Sequence, residues 1–90
     1  MQEGAHIVVS GMVQGVGFRF FVYQRATRMG LNGLVRNLPS GDVEIIVEGD
    51  RSLIEELIAV VKVGPRAAGI VDVQVRWENS DVRFSEFKIG

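Results

Sequence analysis

The stretch "VSGMVQGVGFRFF", residues 9 to 21, decides how the chain is read. An alternating, β-branched run stops at Gly11. Glycines then fall at 11, 15 and 17, and Phe18, Arg19, Phe20 and Phe21 follow at once. The apolar period changes from about two to about 3.6 across a short glycine-rich connection, so the stretch is a strand, a tight loop and the start of a helix.

Upstream, the strand covers residues 5–13, where Ile7 and Val9 alternate with His6, Val8 and Ser10. Downstream, the helix covers 18–29. Phe18, Phe21, Val22, Ala26 and Met29 share one stripe, Arg25 and Arg28 lie off it, and Gly30 is the stop. Residues 31–38 and 42–49 read as two strands joined by "PSG", in which Pro39 presets one turn position and Gly41 suits another. Val43, Ile45 and Val47 alternate with Asp42, Glu44, Ile46 and Glu48, so one face is expected to be buried and the other mostly wet. A second helix begins near Asp50 or Ser52. Ser52 with Glu55 fits a capping box, and Asp50 could cap equally well. Its stripe is Ile54, Leu57, Ile58 and Val61, ended by Gly64 and Pro65. Residues 69–77 give the last clear strand, with Val71, Val73, Val75 and Trp77 on one face, and 84–89 leave room for a short terminal strand through Phe87 and Ile89.

The order βαββαβ predicts an α+β, ferredoxin-like split βαβ sandwich, an antiparallel sheet with two helices on one face. Right-handed crossovers put the first and third strands in the middle. There is no repeat, linker or low-complexity segment, and residues 1–90 are expected to form a single domain. A chain of this length buries roughly 60–70% of its unfolded surface. Its 47% hydrophobic content is enough for one two-layer core.

Composition removes several function classes. With no cysteine there is no disulfide, thiolate metal site or cysteine nucleophile, and with His6 as the only histidine no multi-histidine metal site can be built. No run approaches the ~18 apolar residues of a membrane span, and "MQEGAHIVV" has neither a basic n-region nor a cleavage site. A cytoplasmic monomer with no membrane partner is the default expectation. The net charge of −1 argues against general binding of nucleic acid or anionic membranes. The average conceals an asymmetry. Residues 1–41 carry four arginines against Glu3, whereas residues 42–90 carry six basic and ten acidic residues. The local positive excess therefore surrounds the glycine loop. Arg25, Arg28 and Arg36 are read as solvated surface charges.

The familiar nucleotide-binding loops do not fit. Gly15-x-Gly17 meets Phe20 where a dinucleotide fingerprint needs its third glycine. Counting a Walker A loop from Gly11 puts Val16 at its second glycine, with no Lys-Ser/Thr following. What remains is "QGVGFR" between a strand and a helix. Backbone N–H groups in such a turn can converge on an anion, and a helix N-terminus adds unpaired donors and positive partial charge. Arg19 is unfavourable against that dipole unless something anionic completes the site, and its fork matches phosphate or carboxylate oxygens. The spacing alone leaves two readings open, an anion cradle or a structural glycine turn beside an exposed arginine.

"VSGMVQGVGFRFF", followed by "GLVRNLPSGDVEIIVEGD" and "VGPRAAGIVDVQVRWE", resembles the acylphosphatase family over essentially the whole chain. The glycine loop with its arginine and a G-x-V-x-N segment, here "GLVRN", occur in family order and spacing. The resemblance implies the same split βαβ fold. It also implies that Gln14, Gly15, Val16, Gly17, Phe18 and Arg19 form the phosphate-binding loop, that Arg19 binds the phosphoryl oxygens and that Asn37 positions the attacking water. Read without the resemblance, Asn37 is a strand-end residue bonding the "LPSGD" turn. Leu34 stands where the family commonly has tryptophan, and Met12 where a basic or polar residue is frequent. Neither is a catalytic position by the resemblance; both could alter the rim of the site and so the choice of acyl group.

The implied chemistry is self-consistent. An acyl phosphate is a mixed anhydride whose carboxylate leaving group has a conjugate acid with pKa about 4, so it departs without a general acid. A loose phosphoryl-transfer transition state needs mainly positioning and charge stabilisation. A backbone nest, one arginine and one water-holding amide suffice, with no cofactor and no metal. The expected partner is a small-molecule acyl phosphate; phosphate monoesters, with poorer leaving groups, are expected to react little. Among the rivals, an acylphosphatase-like module of a larger hydrogenase-maturation carbamoyltransferase makes carbamoyl phosphate worth assaying. An RNA-binding domain of the same fold needs stacking aromatics on the open sheet face, where this chain has Asp42, Glu44, Ile46 and Glu48. A silent phosphate-binding protein would keep the loop without turnover. His6 is read as an ordinary strand residue, and Ser10 and Ser40 are given no nucleophilic role.

Overall fold

In the computed structural model, which describes residues 2–79 and 83–90, the expected elements form in the expected order. They are β1 (Gln2–Met12), α1 (Phe18–Arg28), β2 (Asn32–Asn37), β3 (Val43–Asp50), α2 (Arg51–Val63), β4 (Gly69–Glu78) and β5 (Phe87–Ile89). The strands make one sheet in the order β4-β1-β3-β2-β5, with β1 and β3 inside as the crossover rule requires. The sheet is mixed rather than wholly antiparallel, because β5 runs parallel to β2, Gly33 pairing with Phe87 and Val35 with Ile89. The chain reaches that edge from β4 at the opposite side of the sheet, so β5 is not joined to β2 by a hairpin.

Strand alternation sorts the residues between two faces. Ala5, Ile7, Val9, Val35, Val43, Ile45 and Val47 lie on the helix-covered face and are fully buried. They pack against Phe18, Val22 and Ala26 of α1 and Ile54, Leu57 and Val61 of α2 in one core. Each fully buried Val, Ile, Leu or Phe side chain contributes about 1.5–3 kcal/mol through removal from water. Asp50 caps α2, its carboxylate accepting from the Ser52 N–H at 2.9 Å and from the Ser52 hydroxyl at 2.5 Å. These bonds hold the Asp50 carboxyl below its ordinary range. Of the two capping arrangements compatible with the sequence, the aspartate one forms. The Arg51 guanidinium lies 4.0 Å from the Trp77 ring centre and donates to Glu3 at 3.0 Å, fastening the start of α2 to the sheet.

In β4 the expected face of Val71, Val73, Val75 and Trp77 is broken. The β1–β4 register shifts between Ser10 and Gly11, so that Gly11 faces Ile70 while Ser10 faces Asp72. The extra residue of this bulge reverses the alternation. Val71 is 80% exposed, and Ile70 packs against the core in its place.

The open face of the sheet is charged and cross-linked. His6 Nε2 meets Glu44 Oε2 at 2.6 Å, Arg36 Nε donates to Glu44 Oε1 at 2.5 Å, and Arg76 Nη2 approaches His6 Nδ1 at 3.2 Å. A guanidinium only donates, so Nδ1 accepts and Nε2–H faces the carboxylate. Burial alone would push the Glu44 carboxyl up, but the bonds from His6 and Arg36 outweigh it and hold the group below the ordinary carboxylate range. Glu48, expected on the wet side, is only 4% exposed. Its two oxygens accept the backbone N–H groups of Arg83 and Phe84 at 3.2 and 3.1 Å, which satisfies a buried carboxylate and ties the approach to β5 across the sheet. With these groups on β1 and β3 there is no aromatic platform for stacked bases there, contrary to what the RNA-binding alternative requires.

Candidate active site

The loop that joins β1 to α1 is pinned at both ends. Val13 and Phe18 are each 1% exposed, and Val16 packs against the core between them. Gly15 and Gly17, both at φ 76°, are exposed. A side chain in that left-handed region is strained at either position, so the glycines permit a fold-back that the buried residues then hold. The chain alternates between anchoring the core and presenting bare backbone outward.

Gly17 is the N-cap of α1 and supplies no capping oxygen. The first intrahelical bond in this turn runs from Phe21 N–H to the Gly17 carbonyl at 3.0 Å. The earlier N–H groups of the helix have no intrahelical acceptor. No acidic residue occupies the first turn, while Arg25 and Arg28 occupy the last, the favourable end for cations. Arg19 is the exception, a cation at the positive end. Its Nη1 donates to the Gly90 backbone oxygen at 2.6 Å, just beyond β5.

These features meet in one cleft of about 210 Å³, lined by Val13, Gly15, Gly17, Phe18, Arg19, Phe20, Asn37 and Ile89. That is below the ~300–1,000 Å³ of sites for drug-sized ligands and suits a small molecule. Asn37 ends β2 on the helix-covered face, paired with Val43, which itself pairs with Val9 of β1 on its other side. Two segments distant in sequence, the β1–α1 loop and the end of β2, therefore converge. Of the residues assigned to the site by resemblance, Gly15, Gly17, Phe18, Arg19 and Asn37 line the cleft, whereas Gln14 and Val16 do not. Val16 turns to the core, and the Gln14 carboxamide donates to the Leu38 and Asp42 carbonyls. Neither Leu34 nor Met12 lines the cleft, and Leu34 faces away from it, opposite Ile46 on the open face. The apolar wall comes instead from Val13, Ile89 and Phe20, which is 56% exposed. Phe20 sits off the apolar stripe of α1, and that departure was the available signal for it.

A second groove, of about 360 Å³, lies between the helices and includes Phe21, Ala59, Val60 and Val63 with Arg25 and Glu56. It is larger, but its one cation is matched by a carboxylate and it has no run of loop N–H groups.

Comparison with known proteins follows the same lines. A family model of acylphosphatases matches residues 5–89. The chain belongs to the acylphosphatase family. An acylphosphatase of Caldanaerobacter subterraneus is 42% identical over 89 residues, covering 99% of each chain. The acylphosphatase structure from Bacillus subtilis superposes with a TM-score of 0.94 at 36% identity, covering 100% of this chain and 99% of that one. Similarity extends to full-length HypF, solved with phosphate and nucleotide bound, at a TM-score of 0.88 and 33% identity; the match covers 100% of this chain and 12% of HypF. As an acylphosphatase, the chain is a hydrolase of a family that acts on small acyl phosphates. Among the described residues no group of three or more His, Asp or Glu side chains is arranged to hold a metal ion, and no helix is long and apolar enough to cross a membrane.

Proposed function

We propose that the chain hydrolyses the carboxyl–phosphate bond of small acyl phosphates by direct attack of water on phosphorus. The observation that carries this reading is the single cleft in which Gly15, Gly17, Arg19 and Asn37 stand together. The backbone of residues 14–19 and the uncapped start of α1 cradle the phosphoryl oxygens. Arg19 binds two of them through its fork and offsets charge that grows in the transition state. The Asn37 carboxamide holds a water in line with the acyl oxygen. As the water oxygen bonds to phosphorus, the bond to the acyl oxygen breaks and its electron pair leaves on the carboxylate. The water proton passes to a phosphoryl oxygen; among the described residues the cleft is lined by no carboxylate and no imidazole. The leaving carboxylate needs no general acid, and no step calls on a metal. The acyl group lies against Val13, Phe20 and Ile89.

Benzoyl phosphate assayed with and without EDTA tests the reading. Turnover that EDTA leaves unchanged is the expected result. Tight binding of inorganic phosphate without turnover would make the protein a phosphate binder, and loss of activity in EDTA would require a metal. Carbamoyl phosphate, assayed beside it, reports how small an acyl group the apolar wall accepts.

A further inference from the structure

Gln14 opens the glycine loop, yet its side chain lies outside the cleft. It is half-buried, and its Nε2 donates at 2.9 Å to the Leu38 carbonyl and at 2.9 Å to the Asp42 carbonyl. These two carbonyls form the neck of the β2–β3 hairpin, where Leu38 N–H donates to the Asp42 carbonyl at 2.8 Å and Gly41 N–H to the Leu38 carbonyl at 3.1 Å. Leu38 is the residue after Asn37. A primary amide has two N–H groups, and here there are two carbonyls to receive them. The opposite flip would set Oε1 against both oxygens, so the network allows one orientation.

The position of this bridge matters because of the sheet order. β1, which leads into the cradle, and β2, which ends on Asn37, are not neighbours; β3 separates them. Their pairings to β3 both finish at Val43, with Val9 on one side and Asn37 on the other. Beyond Val43 no ladder bond relates the loop to the hairpin. Gln14 spans that gap directly, one residue past the end of the β2 ladder.

We propose that Gln14 is a positioning residue that locks the hairpin carrying Asn37 to the phosphoryl cradle, and so sets the distance from the held water to phosphorus. This rests on the function proposed above. It also accounts for the residue type. Glutamate would aim a carboxylate at two carbonyls, asparagine is one methylene shorter, and an apolar side chain donates nothing.

The test compares wild type, Gln14→Met, Asn37→Ala and the double variant for kcat on benzoyl phosphate and for inhibition by inorganic phosphate, with thermal unfolding as a check on folding. Methionine keeps the length and removes the donors. Gln14→Met is expected to lower kcat about 10- to 100-fold, the order of loss that a misplacement near 1 Å brings. The phosphate Ki should stay within about twofold, because the substitution keeps the backbone N–H groups of the cradle and the Arg19 fork. On the Asn37→Ala background Gln14→Met should cost nothing further, since both act on the same water. Gln14→Glu serves if the methionine variant does not fold; its kcat relative to wild type should rise as pH falls, when the protonated carboxyl regains one donor. A phosphate Ki that weakens in step with kcat, a fully additive double variant, or an unchanged kcat would overturn the role. If Asn37→Ala loses turnover while Gln14→Met does not, only the role of Gln14 falls. If wild type does not turn over, or Asn37→Ala keeps wild-type kcat, the proposed mechanism falls and this role with it.

Discussion

Replacing Arg19 with alanine is expected to lower kcat/KM for benzoyl phosphate by about 10²–10³-fold or more, the scale at which a preorganised charge stabiliser acts when removed. Among the described residues, Arg19 is the one side-chain cation lining the cleft. It is held at the start of α1, where the uncapped N–H groups already favour an anion, and its bond to the Gly90 oxygen restrains the guanidinium before any ligand arrives. Both substrate and transition state carry phosphoryl oxygens, so alanine should weaken phosphate binding as well as turnover. Arg19→Lys should fall between the two, since it keeps the charge and loses the fork. Steady-state kinetics together with a phosphate inhibition constant measures all of this. Wild-type hydrolysis by Arg19→Ala would remove Arg19 from the site.

Asn37→Ala is expected to behave differently. Turnover should fall by at least about 10²-fold, since the attacking water loses its holder, while the inhibition constant for inorganic phosphate stays within about twofold of wild type. The split follows from placement. Asn37 comes from the end of β2, whereas the cradle and Arg19 come from the β1–α1 connection. The two substitutions together separate binding of the phosphoryl group from attack upon it. Equal loss of phosphate affinity and turnover in Asn37→Ala would mean that the residue holds the loop or the hairpin instead.

Much of the architecture was legible because it is written locally. The alternation through Ile7 and Val9, the stripe from Phe18 to Met29, and the Gly64–Pro65 stop each report a period or a break within a few residues. The central placement of β1 and β3 then followed from crossover handedness. The features that escaped are those in which one segment answers another. The bulge opposite Ser10 and Gly11 reverses the faces of Ile70 and Val71, and no reading of β4 alone shows a register shift against β1. Glu48 is buried because the N–H groups of Arg83 and Phe84 come to it from 35 and 36 residues away. The parallel pairing of β5 likewise depends on where the chain travels after β4. The candidate site divides in the same way. The glycines and Arg19 form one local motif that announces an anion site weakly, and Asn37 acquires meaning only beside it. The resemblance put Gln14 in the phosphate-binding loop, but its side chain serves the hairpin, a direction set by carbonyls 24 and 28 residues on.

The central claim is that water attacks phosphorus directly while the carboxylate leaves intact. Hydrolysis of benzoyl phosphate in ¹⁸O-enriched water, with both products read by mass spectrometry, tests it most directly. One ¹⁸O atom in the phosphate and none in the benzoate is the result that the cradle, Arg19 and the Asn37-held water predict. Label in the benzoate would place the attack at the carbonyl carbon and contradict the account.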